Sequence, residues 1–206
     1  MEKKIQFGHI LMLFGILSQV LTYIITKDSL LSFISGLTGV FAVVLCSEKK
    51  MSYYVFSILQ MLTFSIICYH EQLYGKIFEN AFYFILAIIG IFLWKNNLDD
   101  ENLVEPKKMD FKGVLTLLFS ISITTLISYY ILAYMGGKQP FIDGFTMVIG
   151  IVANILMMLR FRENWILWFI ADVLCIVLFL RQENWCMVVQ YVFWTINTVY
   201  GFIKWR

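Results

Sequence analysis

The sequence predicts an all-α polytopic membrane protein with about eight transmembrane helices, and three observations carry that prediction. Of 206 residues, 60% are hydrophobic and only 15% charged, with a mean hydropathy of +0.78, an apolar load that no soluble core absorbs. Apolar runs of 17 or more residues recur along the whole length, each able to cross roughly 30 Å of hydrocarbon as a helix. The 16 Lys and Arg residues fall between those runs, in two unequal sets.

The first run, residues 8–26, follows "MEKK" but lacks a small-residue cleavage pattern, so it reads as a retained helix and not a removed leader. Spans follow at 29–46, 52–70 and 79–95. Then comes one long charged connection, "KNNLDDENLVEPKKMDFK" from Lys95 to Lys112, which carries Pro106 and divides the chain in half. Beyond it the runs are 111–135, 142–159, 164–181 and 184–205. With the amino terminus inside, Lys3, Lys4, Lys49, Lys50, Lys95, Lys107, Lys108, Lys112, Arg160, Arg162, Lys204 and Arg206 fall on the inner side. Lys27, Lys76, Lys138 and Arg181 fall outside. Twelve against four is a positive-inside bias, and it places both termini in the cytoplasm.

A net charge of only +2, without a basic arm or acidic tail, gives nucleic acid no footing as a partner. Cys46, Cys68, Cys175 and Cys186 lie in or beside apolar runs with no C-x-x-C and no histidine at ligand spacing, so they read as small core residues. No metal and no cofactor is expected. His9 and His70 stand at span ends.

The two halves resemble each other. At an offset of 111 residues Gly90 falls on Gly201, Trp94 on Trp205, Tyr83 on Trp194 and Tyr74 on Trp185, and the second and third spans fall on the sixth and seventh. Three-helix repeats in the same membrane orientation need an odd number of spans between them, and the fifth span supplies it. The expected plan is 3+1+3 preceded by one extra helix. Residues 1–27 form that helix, 28–95 the first bundle, 96–138 a cytoplasmic loop and linker helix, and 139–206 the second bundle. Internal repeats around a midplane ligand site mark transporters. A membrane enzyme would cluster His, Asp or Glu at a membrane edge, and this chain shows no such cluster.

The polar positions inside the spans then become candidates. Asp172 is the ninth residue of an eighteen-residue span, near midplane, where an ionised carboxylate costs roughly 2.5 to 3.5 kcal/mol. Trp165, Trp168 and Asp172 recur at i, i+3, i+7, along one helical stripe. In the eighth span Gln190, Trp194, Asn197 and Gly201 share a face, and in the fourth Asn80, Tyr83, Ala87, Gly90 and Trp94 do. Gln60 adds an amide near the centre of the third span. Faces that mix rings with amides describe a cavity for a flat ring bearing a sugar or amide group.

Each position has a structural reading too. Trp94, Trp165, Trp185 and Trp205 suit an interfacial belt, Gly90 and Gly201 suit helix-packing notches, and Gln60, Asn80 and Asn197 suit bonds between helices. Asp172 suits a pairing with a neighbouring donor. A belt does not explain Trp194, which stands at midplane between two amides.

These segments resemble the bacterial PnuC-type vitamin transporters, whose best-known members carry nicotinamide riboside. "RENWILWFIAD" is similar to the family's E-x-W-x-x-W-x-x-x-D segment, and "YGKIFENAFYFILAIIGIFLWKNN" to its Y-G-x-x-x-x-N-x-x-Y segment ending in G-x-x-x-W-x-K-N. Gly201 and Trp205 give a second G-x-x-x-W. The resemblance covers about Ser52 to Lys95 and Leu159 to Arg206. It implies two three-helix bundles joined by a linker helix, as in sugar transporters of the SWEET type, assembled as a homotrimer in the bacterial inner membrane. It implies facilitated diffusion of an unphosphorylated vitamin that a cytoplasmic kinase then traps. Carried over by position, Gln60, Asn80, Tyr83, Trp165, Trp168, Gln190, Trp194 and Asn197 line the site. Asp172, from its own place near midplane, is expected to offset the charge of a cationic ring. "QENWCMVVQYVFWTIN" departs from the riboside pattern, so thiamine, riboflavin or deoxynucleosides stand as alternative cargoes. A substrate-binding subunit of an ATP-driven importer is the alternative architecture.

Overall fold

The computed structural model describes residues 7–27, 29–70, 74–134, 136, 140–181 and 185–206, without the side chains of 68, 74–76, 78, 143, 178, 179, 181 and 185–189. The expectations for Lys3, Lys4, Lys138 and the side chains of Cys68, Trp185 and Cys186 lie outside the described residues. Eight helices follow one another: α1 (Phe7–Thr26), α2 (Leu30–Ser47), α3 (Tyr53–His70), α4 (Tyr74–Lys95), α5 (Phe111–Tyr134), α6 (Pro140–Met158), α7 (Asn164–Arg181) and α8 (Trp185–Lys204). The all-α class is as predicted. One boundary is clearly different, since α4 starts at Tyr74 and not near 79. An apolar run stops at Glu79 and Asn80, but the helix does not, because both side chains find partners within this part of the fold.

By length and composition α1, α2, α5 and α6 are apolar enough to cross a membrane. Over the described residues α3 and α7 add apolar stretches at Tyr53–Ile67 and Asn164–Val177, and α3, α4, α7 and α8 each bury a polar side chain, Ser57, Asn80, Asp172 and Asn197 in turn. Their exposed stripes remain apolar. On α8, Val192, Ile196, Val199 and Ile203 face out while Phe193, Asn197, Tyr200 and Gly201 are buried, the distribution expected of a helix with lipid on one side and protein on the other. Hydroxyls in the spans donate to the carbonyl one turn back, as Thr38, Thr63, Thr146 and Thr195 do at 2.8 to 2.9 Å, which satisfies them without water.

The chain divides into two compact units, Met1–Glu105 with Ile203–Trp205, and Pro106–Phe202 with Arg206. In the first, α1 packs on α2, α2 on α3 and α3 on α4. Ser29 caps α2 by accepting from the Ser32 N–H at 3.0 Å. Gly36 of α2 admits the Gln19 side chain of α1 where a Cβ would collide with it. The end of α2 turns through Lys49 at φ 61°, with Lys50 N–H donating to Leu45 O at 3.0 Å and Lys49 N–H to Cys46 O at 2.9 Å. This is a helix C-cap built from the left-handed region, with basic residues placed against the negative end of the dipole.

Trp94 is fully buried, 5.5 Å from Tyr53 and 5.0 Å from Tyr54 between ring centroids. Trp205 stands edge-on to it at 5.7 Å and donates from Nε1 to the Cys46 carbonyl at 3.1 Å. The interfacial-belt expectation for Trp94, Trp165 and Trp205 is therefore corrected, because they are 0%, 4% and 1% exposed. Indole rings fill interior notches here and do not straddle the lipid headgroups.

In the second unit α5 packs on α6 and α6 on α7, around Ile121, Val148, Ile149, Ala153, Leu156, Leu167 and Ala171. The turn between α6 and α7 repeats the one between α2 and α3. Arg160 has φ 68°, Phe161 N–H donates to Leu156 O at 2.8 Å, and Arg160 N–H donates to Met157 O at 2.9 Å. Lys49 and Arg160 are 111 residues apart, as are both ends of α3 and α7 and the first residues of α4 and α8.

The connection between α4 and α5 bonds equivalently in each unit. Val104 N–H donates to Lys49 O at 2.9 Å, and Lys107 N–H donates to Arg160 O at 2.7 Å. The expected loop is thus a strap held at repeat-related carbonyls.

Candidate substrate-binding site

In the first unit the candidate groups lie on α3 and α4. Asn80 is 8% exposed and donates from Nδ2 to Ser65 Oγ at 3.2 Å, a hydrogen bond between α4 and α3. Three residues on, Tyr83 is half-buried and its hydroxyl donates to Glu79 Oε1 at 2.9 Å on the same helix. Gln60 is half-buried on α3, with Cγ 3.5 Å from where a Cβ on Gly39 of α2 would sit. That is ordinary van der Waals spacing, so Gln60 packs closely against α2 without depending on the glycine.

In the second unit the groups come from α7 and α8. Gly201 takes the Trp165 ring, whose nearest atom would lie 2.6 Å from a Cβ there. The first unit has the same device at the same offset, with Gly90 taking the Tyr54 ring and ring atom Cζ 2.8 Å from an added Cβ. Both glycines are notches for an aromatic side chain of the preceding helix, as their spacing suggested. Trp165 thereby faces α8, while Trp168 packs against the α5–α7 core and remains half-buried.

Asp172 is 3% exposed, and among the described residues no hydrogen bond or ion pair to it is found. Asn197 is 1% exposed, one helical turn from half-buried Trp194, which meets Tyr191 edge-on at 5.0 Å. Gln190, half-buried, completes that face. Each unit therefore carries a buried polar face with an aromatic ring at its edge. The chemistry on offer is hydrogen bonding, ring stacking and a carboxyl group on each face, Glu79 in the first unit and Asp172 in the second. Among the described residues no group of His, Cys, Asp or Glu is arranged to hold a metal.

Sequence reasoning passed over two residues of this kind. Glu79 was placed at a span edge, yet it holds Tyr83 inside α4; its i, i+4 spacing to that tyrosine was the available signal. Asn154 is 7% exposed on α6, an isolated amide inside an apolar run.

The profile of a family described as "Nicotinamide mononucleotide transporter" matches residues 29–206. The chain is 34% identical over 194 residues to the "Nicotinamide riboside transporter PnuC" of Haemophilus influenzae, covering 92% of this chain and 85% of that protein. It is 26% identical to the Escherichia coli protein of the same name, over 84% of this chain and 83% of that one. Among solved structures, "Crystal structure of the Vitamin B3 transporter PnuC" is similar at a TM-score of 0.83 and 27% identity, covering 97% of this chain and 90% of that one.

Proposed function

The chain belongs to the nicotinamide mononucleotide transporter family, and on that premise we propose that it carries nicotinamide riboside by facilitated diffusion, with a cytoplasmic kinase trapping the product. It is a membrane transporter and not an enzyme. The observation that carries the substrate reading is the charge of the buried groups. Among the described residues the buried charged side chains are Arg160, in the turn after α6, and Asp172, inside α7. The polar face of the second unit thus presents the Asp172 carboxyl with amides and rings, and that of the first presents the Glu79 carboxyl with Tyr83, groups that suit a cationic pyridinium riboside. A mononucleotide would add a phosphate dianion beside Asp172, and like charges repel.

We assign ring stacking to Trp168, Trp194 and Tyr83, hydrogen bonding of the ribose and carboxamide to Gln60, Asn80, Gln190 and Asn197, and the counter-charge to Asp172. Trp165 fills the α7–α8 notch at Gly201 in the second unit, on the helix that carries Gln190, Trp194 and Asn197. The repeat-related turns, helix ends and glycine notches support the 3+1+3 plan and its division at 1–27, 28–95, 96–138 and 139–206. The excess of Lys and Arg on one side supports an inner-membrane orientation with both termini cytoplasmic. The homotrimer is proposed on the resemblance described above.

Purified protein in liposomes is expected to take up nicotinamide riboside without an ATP-driven module, at a rate that collapse of the proton or sodium gradient leaves unchanged. Abolition of uptake by either collapse would show a coupled carrier. In thermal unfolding, riboside at a hundredfold excess over its Kd should stabilise by about 2.7 kcal/mol. Nicotinamide mononucleotide, thiamine, riboflavin and deoxynucleosides should shift the midpoint less; a larger shift with any of them reassigns the cargo.

Trp194→Ala is expected to raise the riboside KM about 2- to 30-fold, the loss of a ring–cation contact, while Trp194→Phe retains most of the affinity. An unchanged KM in the alanine variant would remove Trp194 from the site.

A further inference from the structure

We infer that a groove at the start of α5 is a binding site for one anionic phospholipid. The inference rests only on the chain being a membrane protein and is independent of the cargo. A cavity of about 540 Å³ opens there, floored by Gly113, Thr116, Leu117 and Ser120 of α5. These recur at i, i+3, i+4 and i+7, so they form one stripe. Lys108, Met109 and Phe161 supply the facing wall.

On the same turns of α5, Phe111, Leu115, Leu118 and Phe119 are exposed, the pattern of a helix meeting acyl chains. The groove interrupts that apolar surface with a glycine and two exposed hydroxyl residues. The stripe is about 10 Å long, comparable with the roughly 5 to 8 Å of headgroup and ester region on one side of a bilayer. A bare hydrocarbon chain fits such a floor poorly, whereas the glycerol and ester oxygens of a lipid fit it well.

Charge selects the headgroup. Lys108 lines the groove, Lys107 and Lys112 are exposed on either side of it, and the Lys107 Nζ stands 6.0 Å from the Phe161 ring centroid. Basic residues at the end of a membrane helix attract anionic lipid. Asp110 itself lines the groove and Glu163 lies beside it, and both carboxylates are engaged. Asp110 Oδ1 accepts the Gly113 N–H at 2.9 Å as the cap of α5. Glu163 Oε2 accepts the Met109 N–H at 3.2 Å, with its Oε1 3.5 Å from Arg162 Nε. The phosphate would sit over Lys108 and Lys112, its ester oxygens toward Ser120, since the Thr116 hydroxyl already donates to Lys112 O at 2.9 Å.

The test is thermal unfolding of the full-length protein in a neutral detergent with added phosphatidylglycerol, phosphatidylcholine or free glycerol phosphate. Phosphatidylglycerol is expected to raise the midpoint by about 5 °C more than phosphatidylcholine does, and glycerol phosphate to leave it unmoved. Lys108→Gln with Lys112→Gln should erase the difference, and so should Thr116→Trp, which fills the groove and keeps every charge. Lys95→Gln, exposed at the end of α4, should keep it. Equal shifts for the two lipids in the unsubstituted protein would overturn the proposal, a result that no variant's folding can obscure. A shift with glycerol phosphate alone would overturn it too, as would a phosphatidylglycerol preference that survives both substitutions in the groove.

Discussion

Asp172→Asn is expected to lower nicotinamide riboside uptake at least about tenfold while leaving the protein as stable as before or more so. The stability half follows from position. An ionised carboxylate near midplane costs roughly 2.5 to 3.5 kcal/mol, and Asp172 is buried without a hydrogen bond among the described residues to offset that cost. Asparagine has the same shape and no charge, so a purely structural aspartate would be improved or unchanged by the substitution. The transport half follows from charge, because a loss of about 1.4 kcal/mol of attraction for a pyridinium is a factor of ten in affinity. Uptake kinetics and thermal unfolding on the same preparation separate the two. If uptake of the cationic vitamin is intact in Asp172→Asn, the counter-charge role is wrong.

Gly201→Ala is expected to destabilise the protein by about 1 to 3 kcal/mol through overpacking, because the new methyl would lie 2.6 to 2.7 Å from three atoms of the Trp165 indole. A fused ring held at 4% exposure has nowhere to turn. Trp165→Leu in the same chain should recover part of the loss, giving a coupling of about 0.5 to 3 kcal/mol in a double-mutant cycle. Gly90→Ala meets Tyr54 through the hydroxyl end of a smaller ring, so its effect should be smaller. Additive losses for Trp165 and Gly201 would mean that the notch does not set the α7–α8 packing.

Much of the architecture was legible because its signals are local. Seven of the eight helices begin and end within two residues of the apolar runs; the exception, α4, extends past Glu79 and Asn80 because Tyr83 and Ser65 satisfy them. The offset of 111 was readable from Gly90 and Gly201, since close packing in lipid restricts a notch to small residues. The tryptophans misled for the opposite reason. Sequence position near a span end cannot distinguish a ring at the lipid headgroups from one driven inward by a partner far away in sequence, as Trp205 is by Cys46 and Trp94.

What the sequence determined by itself was the all-helical membrane class, the number of helices, their doubling at a fixed offset and the family. Hydropathy and spacing are properties of neighbouring residues, and the bilayer leaves a long apolar segment few ways to satisfy its backbone. The tertiary structure alone decided that Trp165 fills Gly201, that Trp168 turns to the α5–α7 core and that Asn80 bonds across to Ser65. It also decided that the connection after α4 is pinned to the Lys49 and Arg160 carbonyls. Each of these joins residues well separated along the chain, and such a pairing is set by the volume and hydrogen-bonding need left over once the helices have packed.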